Sequence, residues 1–78
     1  HVAAMFNRGV AYWEGRGTQR QPAKAANWWE LAAEQQDAGA QYNLGLAYYL
    51  GEGRKQDANK AKYWLDQAIK NGHPQAKP

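Results

Sequence analysis

Apolar residues recur at helical spacing in four stretches of this chain, and glycine or proline stands between the stretches. Trp28, Trp29 and Ala32 follow Ala25 by three, four and seven positions, which places the four side chains on one face of a helix. The same spacing returns 36 positions later, from Ala61 onward. The pattern predicts an all-α chain with no strand and with helices near residues 3–14, 22–36, 39–50 and 58–71.

Residues that suit helix ends lie at the borders of these stretches. Gly15 and Gly51 follow the first and third stretches, where glycine readily adopts the left-handed conformation that closes a helix. Pro22 suits the first position of the second helix, and the side-chain oxygen of Asp57 can cap the fourth. Gly72 is expected to end the fourth helix.

The sequence of the first two predicted helices recurs in the last two. When the chain is shifted by 36 positions, "GVAYWEGRG" from Gly9 falls on "GLAYYLGEG" from Gly45, and identities continue without a gap through Trp28 and Trp64. A fixed period of this length is the signature of a helical repeat protein. The chain is therefore predicted to be one domain, 1–78, made of helix-turn-helix repeats at 4–39 and 40–75 and a stub of a third repeat at 76–78.

Residue types kept in both copies are predicted to be structural. Gly9 and Gly45 lie inside helices, where glycine costs about 1 kcal/mol relative to alanine. Close approach of the partner helix, with Trp28 or Trp64 lying across the glycine, is the predicted reason. The complete structural set is Gly9, Tyr12, Gly15, Gly17, Trp28, Gly45, Tyr48, Gly51, Gly53 and Trp64.

The segments "AQYNLGLAYYLGEG" and "DANKAKYWLDQAIKNG" resemble the Sel-one-like repeat family, a relative of the tetratricopeptide repeat. The resemblance implies an α-α superhelix (solenoid) of stacked helical hairpins and a role as an adaptor or scaffold. It is compatible with the bacterial periplasm or cytoplasm. The first copy departs from the family pattern at Arg8, where leucine is expected, and at Gln36, where a helix-ending glycine is expected. Gly39 is then expected to provide the turn.

Enzymatic chemistry has few candidate residues in this chain. It contains no Ser and no Cys, and Thr18 is its only Thr. His1 and His73 stand at opposite ends without metal-ligand spacing, so no catalysis, metal or other cofactor is expected. The net charge of +3 is scattered over the sequence, which argues against a nucleic-acid partner. No apolar run is long enough to predict membrane insertion.

The resemblance implies that the first helix of each repeat lines a concave face. Aromatic and apolar side chains with one asparagine per repeat would lie on that face, and such residues can hold a peptide. The predicted peptide-binding residues are Asn7, Val10, Trp13, Asn43, Leu46 and Tyr49, with Phe6, Glu14, Tyr42 and Leu50 beside them.

Two alternatives remain open at this point. In the first, Phe6, Val10, Tyr42 and Leu46 pack one repeat on the other and bind nothing. In the second, the whole chain is a structural spacer or assembly segment of a longer repeat protein, with no ligand of its own. Under either function, the end faces of two stacked repeats would expose apolar surface, so weak self-association is expected.

Overall fold

The computed structural model describes residues 1–17 and 19–73 as four helices of equal length, with no strand in these ranges. The helices are α1 (Val2–Glu14), α2 (Pro22–Glu34), α3 (Ala38–Leu50) and α4 (Ala58–Lys70). The predicted all-α fold is confirmed, and each helix bound lies within two residues of the prediction. The predicted stub at 76–78 lies outside the described residues.

Each repeat is a helical hairpin, and the two hairpins stack through their inner helices. α1 packs on α2, α3 packs on α4, and α2 also packs on α3. The shared core consists mostly of fully buried alanines, with Trp29, Leu44 and Tyr48 as its large side chains. Small residues let the helix backbones approach one another closely, so a chain of this length can bury a continuous core.

The end of α2 corrects one expectation. Gln36 itself adopts a left-handed backbone conformation, with φ 68°, and its N–H donates to the carbonyl of Ala33 at 3.0 Å. Gly39, which was expected to provide this turn, lies inside the first turn of α3 against the Phe6 ring. Gly72, which is equivalent to Gln36, has φ 86°. The repeat backbone thus needs a left-handed residue at this position, whatever side chain occupies it.

The residue that covers each helical glycine is also corrected. Trp29, rather than Trp28, lies across Gly9, and a Cβ atom at Gly9 would overlap the Trp29 ring. A Cβ atom at Gly45 would lie 2.8 Å from Leu65 Cγ. The identity of Trp28 and Trp64 in the two copies pointed to the wrong face, because neighbouring residues on a helix are rotated by about 100°.

Trp28 lies at the edge of the packed hairpin. It is half-buried, and the Arg8 guanidinium lies 5.2 Å from its ring centroid. Trp29 is only 3% exposed, and its Nε1–H donates to the Phe6 carbonyl at 3.3 Å. Trp64 is half-buried against the core and meets Tyr63 edge to face. The main aromatic support of the first hairpin is therefore Trp29.

The predicted caps are confirmed, and one more is found. Gly15 and Gly51 end α1 and α3 with φ 75° and 73°. Pro22 is the first residue of α2, and the Asp57 carboxylate accepts from the Lys60 N–H at 3.0 Å. Asp37 caps α3 in the same way, through the Ala40 N–H at 2.8 Å. These caps mark the ends of α1 and α3 and the starts of α2, α3 and α4.

Candidate functional site

A groove of about 230 Å³ runs between α1 and α3 on one side of the molecule. Trp29 reaches it from α2, and the other residues come from α1 and α3. Its lining is Val10, Trp13, Glu14, Trp29, Asn43, Leu46 and Leu50. The volume suits one large side chain of a bound segment rather than a whole small-molecule ligand, since ligand pockets usually hold about 300–1,000 Å³.

The structure brings four of the six predicted binding residues into this groove: Val10, Trp13, Asn43 and Leu46. Asn7 is exposed on α1 but does not line the groove. Tyr49 is 60% exposed and lines a different depression beside α4.

The four residues considered as possible inter-repeat packing divide into two pairs. Phe6 packs against Gly39, where a Cβ atom would lie 3.1 Å from the ring. Tyr42 stacks on His73, with centroids 4.5 Å apart. Val10 and Leu46, half-buried like Phe6 and Tyr42, line the groove. Phe6 therefore packs one repeat on the other, and Tyr42 packs on His73 of its own hairpin, while Val10, which also packs against the core, and Leu46 present surface to the groove.

The Trp13 ring is held on the wall of the groove by one aromatic contact and one cation–π contact. The Trp29 ring lies 5.3 Å from it, centroid to centroid, at an interplanar angle of 43°. The Arg20 guanidinium lies 4.5 Å from the Trp13 centroid. Arg20 Nε also donates to the Trp13 carbonyl at 2.8 Å, and Arg20 Nη2 donates to Glu52 at 2.7 Å. Because Glu52 belongs to the second repeat, Arg20 ties the groove wall to both repeats.

A second inter-repeat contact lies outside the groove lining, between the loop after α3 and α2. Arg54, in the loop after α3, donates from Nη2 to Glu30 and to Asn27 on α2, both at 2.9 Å. Gly53 lies so close to the Pro22 carbonyl that a Cβ atom would overlap it. Exposed ion pairs add only about 0–1 kcal/mol each. Together with the close Gly53–Pro22 approach, these bonds join the loop after α3 to α2 of the other repeat.

The groove is apolar except for one carboxylate and one amide. α3 contains no charged residue, and Glu14 is the only charged side chain in the lining. Glu14 accepts from Arg16 Nε at 2.7 Å, with both side chains more than half exposed. Within residues 1–17 and 19–73, the Asn43 side chain makes no hydrogen bond. Its amide can therefore both donate to and accept from a bound backbone.

Sequence reasoning missed Trp29, Arg20 and Glu52. Gly9 was a usable signal for Trp29, because a glycine inside a helix marks the point where a neighbouring ring approaches. No comparable signal existed for Arg20, because its partners are a backbone carbonyl and a residue of the other repeat.

The Sel1 repeat family model matches residues 2–37 and again residues 38–73. The chain belongs to the Sel1 repeat family. Sel1 repeats are generally protein-interaction repeats, and their fold is typically a non-catalytic scaffold. No curated protein matches the chain.

Solved structures of Sel1 repeat proteins share this geometry. A Sel1 repeat protein from Oxalobacter formigenes is 37% identical over 97% of this chain, with a TM-score of 0.93, and this chain spans 22% of its length. The uropathogenic Escherichia coli protective antigen c5321, which displays an SLR fold, is 34% identical over 97% of this chain, with a TM-score of 0.94. This Sel1 repeat pair spans 16% of that antigen.

Helicobacter pylori cysteine rich protein B shares the fold at 23% identity, with a TM-score of 0.91 over 96% of this chain and 56% of its own. This Sel1 repeat pair has no cysteine, so its hairpins are held by packing and by the inter-repeat bonds described above. Within the described ranges, no cluster of three or more His, Asp or Glu could hold a metal ion. No helix there is long and apolar enough to span a bilayer.

Proposed function

We propose that the groove between α1 and α3 binds an extended segment of a partner protein, which makes this Sel1 repeat pair an adaptor or scaffold module. The observation that carries the proposal is the Asn43 amide, which lies without a hydrogen-bond partner among the described residues beside an apolar groove. A peptide backbone supplies the N–H and C=O that this amide can bind, and a large apolar side chain would fill the volume beside it.

Two further features of the groove favour a peptide ligand. Leu50 is 54% exposed at its edge, so the apolar surface continues beyond the cavity toward solvent. Trp13 is fixed between Arg20 and Trp29 before any ligand arrives. A fixed aromatic wall loses little conformational entropy on binding, which raises the affinity that a given contact area provides.

Nuclear magnetic resonance of the indole N–H groups tests this location directly. A ligand is first selected from a displayed peptide library and is then titrated into the labelled chain. The four tryptophans are built-in reporters, because Trp13 and Trp29 line the groove and Trp28 and Trp64 do not. We expect the Trp13 and Trp29 indole signals to shift, with little change at Trp28 and Trp64.

The opposite pattern would contradict the proposal. Shifts concentrated at Trp64 would place the ligand on the second hairpin, away from the groove. If no library peptide bound at all, the spacer function would be favoured, in which the inter-repeat bonds of Arg20 and Arg54 serve only to hold the hairpins at a fixed angle.

A further inference from the structure

Asn71 follows the last residue of α4 and precedes Gly72. An asparagine followed by glycine forms a succinimide more readily than other asparagines, because glycine has no side chain to hinder attack by its backbone nitrogen on the asparagine Cγ. The other four asparagines of the chain lie inside helices and precede larger residues; they are Asn7, Asn27, Asn43 and Asn59. Asn71 alone combines a position outside the helices with a following glycine.

The Asn71 side chain belongs to an amide network between the two repeats. Its Nδ2 donates to Gln41 Oε1 at 2.8 Å and to Gln36 Oε1 at 3.3 Å. Gln41 is fully buried, and its Nε2 donates to the Ala33 carbonyl at 3.1 Å. Because a carbonyl only accepts, Gln41 must turn its NH₂ group to Ala33 and its oxygen to Asn71. The network therefore requires a hydrogen-bond donor at position 71.

The first repeat has no counterpart of this arrangement. The 36-residue register places Gln35 and Gln36 at the positions of Asn71 and Gly72. A glutamine side chain is one methylene longer, so the same attack would close a six-membered ring, which forms much more slowly. Any such reaction is therefore expected at the end of the second repeat and not at the end of the first.

We propose that Asn71 is a site of spontaneous deamidation, which the amide network restrains and whose product weakens the junction between the two Sel1 repeats. The Gly72 nitrogen attacks Asn71 Cγ and forms a C–N bond, and the side-chain nitrogen leaves as ammonia with the proton of the Gly72 amide. Water then adds to the succinimide. Opening at Cγ gives aspartate, and opening at the backbone carbonyl gives isoaspartate. This site is separate from the groove between α1 and α3.

The folded structure restrains the reaction by holding both reacting groups. The Asn71 amide is bound to two acceptors, and the Gly72 N–H donates to the Ile69 carbonyl at 3.0 Å. These bonds must open before the nitrogen reaches Cγ, and local opening of a helix end is easier than global unfolding. We expect the folded chain to deamidate about 10- to 100-fold more slowly than the chain unfolded in urea.

Either product removes the donor that Gln41 requires. The new carboxylate is ionised at neutral pH, so it can only accept, and it meets another acceptor at Gln41 Oε1. A buried oxygen left without a donor destabilises the fold. We expect the modified chain to melt about 5–10 °C below the unmodified one.

Mass spectrometry of the aged protein locates the reaction. The wild-type chain is incubated at mildly alkaline pH and physiological temperature, folded and in urea, and the tryptic peptide that begins at Asn71 is followed with time. Asn71 should be modified before any other asparagine, and more slowly in the folded chain. Earlier modification elsewhere, equal rates in the two conditions, or a folded chain that stays unmodified long after the unfolded one is fully converted would overturn the proposal.

A pair of matched variants tests the restraint by the network. Gln41→Met removes an acceptor of Asn71 and should raise the folded-state rate by about 2- to 10-fold. Gln56→Met removes an amide that donates to the Tyr49 carbonyl at 2.9 Å, far from Asn71 along the hairpin, and should leave the rate unchanged. Equal acceleration in both variants would contradict control by the network.

Loss of overall stability is separated from loss of the network by a further comparison. The wild-type chain is brought by urea to the same free energy of unfolding as Gln41→Met. It should still deamidate more slowly than this variant, because its network is intact. Equal rates would show that only global unfolding exposes Asn71, which overturns the proposed restraint.

The effect of the product is tested with Asn71→Asp, which supplies the aspartate form directly. Asn59→Asp makes the same charge change in the first turn of α4, where a negative charge is favourable, and should melt at or above the wild-type temperature. Asn71→Asp and the deamidated fraction of the aged wild type should both melt lower. If both melt like the wild type, the junction does not depend on Asn71 as a donor.

Discussion

The two Sel1 repeats share one backbone but fill it with different side chains. In repeat 1 a tryptophan, Trp29, covers the helical glycine Gly9, whereas in repeat 2 the smaller Leu65 covers Gly45. Trp29 is buried, while Leu65 is half-buried because no further helix covers α4 among the described residues. The comparison shows that both repeats keep a glycine where the two helices of the hairpin approach each other. The residue that covers this glycine differs with the packing on the outer side of the second helix.

Other equivalent contacts are preserved without change. The Lys24 ammonium lies 5.5 Å from the Tyr12 ring centroid, and Lys60 lies 5.5 Å from Tyr48. The Gln21 N–H donates to the Tyr12 carbonyl at 2.8 Å, and the same bond recurs between Asp57 and Tyr48 at 3.0 Å. These contacts lie at the corner between the helices of each hairpin. Each hairpin is thus closed within its own repeat, independently of the neighbouring one.

The largest expected effect on stability concerns Trp29, the residue that covers the helical glycine in repeat 1. Trp29→Ala should lower the free energy of unfolding by about 3–5 kcal/mol, because it empties the centre of the molecule and leaves the groove without its inner wall. Trp28→Ala removes a half-buried ring at the edge and should cost much less. Urea denaturation followed by circular dichroism measures both, and equal losses would show that the assignment of Trp29 as the central residue is wrong.

A smaller loss of folding stability is expected at Gln41, a buried amide of repeat 2 that repeat 1 lacks. Gln41 is fully buried, donates to Ala33 and accepts from Asn71 Nδ2 at 2.8 Å, while its equivalent is Met5. Gln41→Met should cost about 1–3 kcal/mol, since it leaves polar partners without their bonds. The same denaturation assay measures it. Unchanged or increased stability would mean that apolar packing compensates for the lost network.

The smallest expected effect is a gain in folding stability. Gln36 holds a left-handed backbone conformation that costs a side-chain-bearing residue about 1–2 kcal/mol, and Gly72 has no such cost. Gln36→Gly should stabilise the fold by about 0.5–1 kcal/mol, after allowance for the greater freedom of glycine in the unfolded chain. The reverse change, Gly72→Gln, should destabilise it by a similar amount. Thermal melts of both variants test this, and shifts in the same direction would contradict it.

Most of the fold could be predicted because local signals mark it. Gly15, Gly51, Pro22 and Asp57 each act through the backbone of their own helix end, so the sequence alone identifies them. Gln36 was misjudged because the backbone hydrogen bonds that end α2 require a left-handed conformation that its side chain disfavours. The equivalent position in the other repeat, Gly72, indicates the backbone conformation of Gln36 better than the residue type of Gln36 does.

The groove was less accessible to prediction than the fold. The helical period placed Val10, Trp13, Asn43 and Leu46 on one face, since they lie on equivalent turns of α1 and α3. Tyr49 is rotated out of the groove by about 100° from Leu50, which lines it. In both helices the prediction chose the neighbour of the correct residue, Tyr49 instead of Leu50 and Trp28 instead of Trp29. Which of two neighbouring residues faces the groove or the core depends on how the helices pack, and the spacing within one helix does not determine it.

The central claim is that Asn43 holds the backbone of a bound segment. The most direct test is the affinity of a library-selected peptide for the Asn43→Ala variant, measured by isothermal titration calorimetry beside Asn59→Ala. Asn59 is an exposed residue of α4 that lines neither the groove nor the α4 depression, so it provides a matched loss of one amide. Loss of a desolvated hydrogen bond should weaken binding by about 5- to 100-fold in Asn43→Ala. Asn59→Ala should bind like the wild type, and both variants should melt near the wild-type temperature. Equal affinity of the two variants for the peptide would contradict the account.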